Sequence, residues 1–130
     1  MRIGIWMYSY LPKIGGAQIS AHSLANSLAA QGHHVVVYAD SELLEQLSDL
    51  GWRFRYETRG ISRTPFRLAR HGGVVGAWLG ARSLASAVKA DRLDVVQVVG
   101  MWPWSLILGK VRAATDVIFA VRAAGDDIQV

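Results

Sequence analysis

Residues 2–40 read RIGIWMYSYLPKIGGAQISAHSLANSLAAQGHHVVVYAD, and they change character three times. RIGIWMY, residues 2–8, is apolar nearly throughout, as a strand covered on both faces must be. A Pro12 loop with the pair Gly15-Gly16 follows. From 16 to 31 the apolar residues Ala17, Ala21, Leu24, Ala25 and Leu28 recur at helical spacing, and Gly32 supplies a stop. HVVVYA, residues 34–39, is apolar again. Strand, glycine loop, helix, strand is the repeating unit of a parallel sheet with crossover helices.

The remaining sequence continues the alternation. DVVQVV (94–99) and DVIFAV (116–121) read as buried strands. WRFRYET (52–58) differs, because Trp52, Phe54 and Tyr56 alternate with Arg53, Arg55 and Glu57. That period of two predicts an edge strand with one wet face. Ser41 is a candidate cap for a short helix ending at Gly51. Thr64-Pro65 is a start signal for a helix reaching about Ala90, and a last helix is expected over 103–114. The expected fold is a Rossmann-like, doubly wound parallel α/β sheet of about five strands, order 3-2-1-4-5. Residues 1–130 read as one domain, and RAAGDDIQV after the fifth strand suggests a chain cut off inside a larger protein.

Composition narrows the function. The chain has 130 residues, 52% of them hydrophobic, enough for one core. It has no cysteine, which removes disulfides and thiolate metal sites and suits the cytoplasm. Met1-Arg2 leads straight into a strand-like run and not into a signal peptide. The longest apolar run, HGGVVGAWLGA over 71–81, is too short to span a bilayer, which takes about 20 residues. None of the four histidines pairs with another at metal-ligand spacing, so no metal site is expected.

In such a sheet ligands bind beyond the carboxyl ends of the strands, at the switch point. Three glycine-containing loops converge there: Gly15-Gly16, Gly100–Trp104 and Ala123–Asp127. The first lacks the Gly-Lys-Ser/Thr ending of a P-loop and the three spaced glycines of a dinucleotide fingerprint. It serves either as a tight turn or as an anion site at a helix amino terminus. Asp40, at the end of the second strand, is where a ribose-binding acid would sit, and alone it gives a nicotinamide site little support.

PKIGGAQ resembles the Pro-x-x-Gly-Gly loop of family 4 (group 1) glycosyltransferases, which have the GT-B architecture. DVVQVVGMWPW is similar to their fourth strand and its loop, and VIFAVRAAGDDIQV to their HGxDI segment. The resemblance covers essentially the whole chain and only the N-terminal, acceptor-side domain of such an enzyme. It implies a retaining transfer of sugar from a nucleotide-sugar to a glycan or lipid-linked acceptor, without metal or other cofactor. It places Gly15 and Gly16 on the donor diphosphate, and Lys13, Met101, Trp102 and Asp126 on the acceptor side. Asp127 matches the family aspartate as a catalytic candidate, but Ala124 stands where relatives carry histidine. The donor-binding C-terminal domain is absent from this chain, which alone is expected to be inactive. The alternatives are a non-catalytic binding or membrane-docking domain of the same fold and, less well supported, a nicotinamide-dependent oxidoreductase fragment.

Six arginines lie between 53 and 70, against the single acid Glu57. They form either a solvated face or an anion-binding surface carried by Arg59, Arg63, Arg67 and Arg70. The resemblance favours peripheral attachment at the inner face of the cell membrane over nucleic acid.

Overall fold

A computed structural model of the chain describes residues 1–7, 11, 16–61, 74–99 and 118–122. Their order is β1 (Arg2–Trp6), α1 (Gly16–Ala30), β2 (His34–Asp40), α2 (Ser41–Asp49), β3 (Glu57–Ile61), α3 (Val74–Ala90), β4 (Val95–Val99) and β5 (Ile118–Arg122). The strands form one parallel sheet in the order β3-β2-β1-β4-β5, as the alternation of elements predicts. In register, Gly4 lies between Val36 on β2 and Val96 on β4.

Both faces of the central strands are buried, which is why their sequences show no polar alternation. Ile5, Met7, Val35, Val37 and Ala39 point to one side, where they meet Ala21 and Ala25 of α1 and Leu47 of α2. Trp6, Val36, Tyr38, Val96 and Val98 point to the other and meet Leu84 and Val88 of α3. Ala21 and Ala25 stand one helical turn apart, so their small side chains bring α1 close to the sheet. Leu84 is fully buried, and burying a side chain of that size stabilises by about 1.5–3 kcal/mol. Gly32 and Gly51 end α1 and α2 with positive φ, +92° and +79°, a conformation that costs a glycine little.

Two local expectations need correction. The third strand is Glu57–Ile61 and not 52–58; it keeps its edge position, pairing with β2 alone. Residues 52–56 are not strand. Their alternate rings are drawn onto His22 of α1: Phe54 and Tyr56 stack at 4.9 Å, and all three rings lie within 6.1 Å of the imidazole. Alternation here records side-chain packing on a helix, not pairing in a sheet. The cap of α2 is Asp40 and not Ser41; its Oδ1 accepts from the Glu42 amide at 3.0 Å. Ser41 is instead the first helical residue, and its hydroxyl donates to the Ile61 carbonyl. The proposed start at Thr64-Pro65 and the helix over 103–114 lie outside the described residues.

Candidate functional site at the carboxyl rim of the sheet

Because the sheet is parallel, β1, β2, β3, β4 and β5 all end on one rim, at Trp6, Asp40, Ile61, Val99 and Arg122. α1 and α2 pack on one face and α3 on the other, so the winding reverses between β1 and β4. That is the switch point where an open α/β sheet leaves a crevice. α1 begins beside it, at Gly16.

Gly16 is informative because nothing among the described residues requires it. Its φ is not positive, and a Cβ built on it meets nothing within 4 Å among the described residues. No acidic side chain occupies the first turn of α1. The partial positive charge of a helix amino terminus is therefore not met by a carboxylate of its own first turn. Of the other residues expected at the site, Gly15, Lys13, Met101, Trp102, Ala124, Asp126 and Asp127 lie outside the described residues, as do Arg63, Arg67 and Arg70.

Asp40 also reaches the rim, 3% exposed, and its carboxylate caps α2. A structural role thus accounts for the acid that a nicotinamide site would use on a ribose.

The structure assembles a second polar group that the sequence did not signal. Tyr38 of β2 donates a short hydrogen bond to the Asp91 carboxylate, across 53 positions of sequence. Arg59 of β3, in register with Tyr38, lies 2.6 Å from Glu57 and 3.5 Å from Asp91. Burial, then the hydrogen bond and charge of Asp91, push the Tyr38 phenol well above its usual range. The hydrogen bond to Glu57 raises the Arg59 guanidinium further. These groups line a groove of about 680 Å³ between the β3 edge and α3, with Ile61, Leu79 and Ala87 as its apolar wall. A tyrosine held protonated and an arginine bound to two acids make this corner structural. Arg59, foreseen as part of an anion-binding surface, already has two anionic partners.

His22 joins a third group. The Asn26 amide donates to its Nε2 at 3.2 Å, which places the proton on Nδ1, and Nδ1 donates to the Tyr56 hydroxyl at 2.7 Å. A histidine satisfied on both nitrogens within one helix and its neighbouring loop has no valence left for a metal. Among the described residues no cluster of His, Cys, Asp or Glu could hold one.

The same fold recurs in solved structures. A glycosyltransferase from Rickettsia africae ESF-5 is similar with a TM-score of 0.65 and 14% identity, over 92% of this chain and 28% of that one. The glycotransferase of kitacinnamycin is similar at 0.57 and 15%, over 94% and 30%. MT0777 is similar at 0.51 and 13%, over 95% and 86%. The chain thus spans less than a third of the length of the two transferases, and at these identities the likeness concerns the fold. No curated protein sequence matches the chain. Residues 15–129 match the glycosyl transferase 4-like domain, and the chain belongs to that family.

Proposed function

We propose that the chain is the N-terminal, acceptor-side domain of a retaining glycosyltransferase. The complete enzyme moves a sugar from a nucleotide-sugar to a glycan or lipid-linked acceptor. The amino terminus of α1 at the switch point carries the reading: Gly16 answers no demand among the described residues, yet it stands where a phosphate would approach the backbone most closely. Backbone amides there, fixed in place before the donor binds, stabilise the negative charge that grows on the diphosphate as it leaves. That task needs neither a metal nor another cofactor. Gly15 shares it with Gly16, while Lys13, Met101, Trp102 and Asp126 shape the acceptor side. Asp127 is the catalytic candidate, since Ala124 offers no acid, base or hydrogen bond where relatives have histidine.

The donor is held mainly by a second, C-terminal domain outside this chain, in keeping with the small share of the two transferases that the chain spans. The complete protein works in the cytoplasm, with Arg63, Arg67 and Arg70 as its contacts to an anionic membrane surface. Ala124 favours one other reading, a non-catalytic docking domain of the same fold.

One pair of experiments separates the two. The complete protein, given UDP-, GDP- and TDP-sugars with lipid and glycan acceptors, is expected to form product with the donor's anomeric configuration, read by proton NMR. Residues 1–130 alone should bind donors no better than about millimolar, near −4 kcal/mol. Inactivity of the complete protein with every donor favours the docking domain. Micromolar donor binding by residues 1–130 overturns the division of labour, and tight binding of NAD reinstates the oxidoreductase.

A further inference from the structure

The outer side of α1 and the loop at 52–56 have a chemistry that neither the core nor the rim uses. α1 carries no charged residue in fifteen, which is unusual for a helix with one side in water. Its exposed positions are Gly16, Ile19, Ser23, Ser27 and Ala30. About 9 Å along the axis from Gly16, at 1.5 Å per residue, His22 leads to the ring cluster. Trp52 ends that cluster, 45% exposed and tilted 34° to Phe54 at 6.0 Å. Arg53 and Arg55 lie between the rings in sequence, both exposed and without an ion pair among the described residues. Glu57, opposite Val36 near the start of β2, shows that the loop lies toward the amino end of the sheet, away from the reaction rim.

We infer that this surface is a distal binding site for an acidic glycan, a chain of uronic acid or otherwise anionic sugars. A pyranose presents an apolar C–H face, which an indole covers, and a polar edge, which hydroxyl and guanidinium groups meet. Arginine adds paired donors that match a carboxylate. From Gly16 to His22 the α1 surface runs about 9 Å without a charged side chain. A membrane fits less well. The rings lie packed against α1 and one another instead of protruding. The inference rests on the reading of the acceptor as a glycan and adds its charge and its path.

The test is calorimetric titration of the full chain with tetragalacturonate, maltotetraose, polyglutamate and phosphatidylglycerol vesicles. Vesicle binding, assigned to Arg63, Arg67 and Arg70, should be unchanged by substitutions at Trp52, Arg53 and Arg55, and tetragalacturonate should bind at least about tenfold more tightly than maltotetraose or polyglutamate, a difference of roughly 1.4 kcal/mol. Trp52→Ala should weaken it about tenfold, Trp52→Phe less, and Arg53→Ser with Arg55→Ser about tenfold, with melting temperatures unchanged. If Trp52→Ala unfolds the chain, Trp52→Phe and the double arginine variant still decide. No binding of tetragalacturonate, equal binding of maltotetraose or polyglutamate, equal affinity in the folded variants, or loss of vesicle binding in the Trp52 and arginine variants overturns the proposal. The titration contains no donor, so a failure of sugar transfer would count against the proposed reaction and not against this surface.

Discussion

Two helices begin on the same rim of the sheet, and they begin differently. The amino terminus of α2 is closed by the protein itself. Asp40 supplies an anion to the Glu42 amide, Ser41 bonds the Ile61 carbonyl, and Gly60 lets β3 lie against the first residue of the helix. A Cβ at Gly60 would stand 2.6 Å from the Ser41 hydroxyl and 3.2 Å from the Ser41 backbone. The amino terminus of α1 has an open position at Gly16 and no acid in its first turn. The same residue type thus answers two demands: at Gly60 the protein needs the space, and at Gly16 it leaves the space. Internal satisfaction marks a structural corner, and an unexplained glycine marks a place for something else.

The largest expected effect tests the open end. Gly16→Val in the complete enzyme should lower turnover at least about a hundredfold, near 2.7 kcal/mol of transition-state stabilisation. Its melting temperature should change little, because the added side chain meets nothing within 4 Å among the described residues. Steady-state kinetics with calorimetric melting checks both halves. A fully active variant, or one that unfolds, would make the glycine a turn residue and erase the contrast.

Next comes the closed end. Gly60→Ala forces β3 from α2 and should cost about 1–3 kcal/mol of stability. Activity at temperatures well below the transition should be unaffected. Adding Ser41→Gly removes the nearest side-chain contact and should recover part of the loss in urea denaturation. A neutral Gly60→Ala would show that the two glycines do not differ as described.

How much of this was legible in sequence follows the same division. The sheet order came from alternating apolar runs and crossover helices, because burial on both faces leaves a signal in every residue of a central strand. The edge strand was displaced because one-sided packing also gives a period of two, and Trp52, Phe54 and Tyr56 satisfy it against His22. Asp40 reads in sequence as the place of a ribose-binding acid, because a strand-end acid and a helix cap look alike until the helix start is fixed. The corner of Tyr38, Arg59 and Asp91 joins positions up to 53 apart in sequence, which no local pattern reveals. Gly16 was legible as a candidate, while its freedom from internal constraint needed coordinates.

The corner can be probed with a smaller change. Tyr38→Phe removes one buried hydrogen bond to a carboxylate and should cost about 1–2 kcal/mol near neutrality. Its pH dependence has a definite sign. The Tyr38 phenol is held above its ordinary value of 10.0 in the folded state, so above that pH the unfolded chain loses the proton first. Stability from this group is complete below about pH 10 and declines as pH rises further. Wild type should therefore lose more stability than Tyr38→Phe between pH 9 and 11, in roughly the range where a free tyrosine ionises. Parallel denaturation curves across that range would show that the phenol is not held by Asp91.

The smallest expected effect lies at the exposed edge of the same corner. Arg59 is 46% exposed in its side chain, and its contacts to Glu57 and Asp91 are those of a surface ion pair. Such pairs contribute about 0–1 kcal/mol, because water screens the attraction and both side chains lose rotamer freedom. Arg59→Ser should therefore change stability by about 0.5 kcal/mol or less, with the difference shrinking as salt is raised. The same two acids also set what Arg59 can do for a membrane. A guanidinium already facing two carboxylates adds little net charge to an anionic bilayer, where a free basic residue contributes about 1 kcal/mol. In a vesicle flotation assay Arg59→Ser should match wild type, whereas joint replacement of Arg63, Arg67 and Arg70 by serine should release the protein. Loss of flotation on replacing Arg59 alone would place it among the membrane contacts. The β3 edge would then join the open part of the molecule, against its placement here in the closed one.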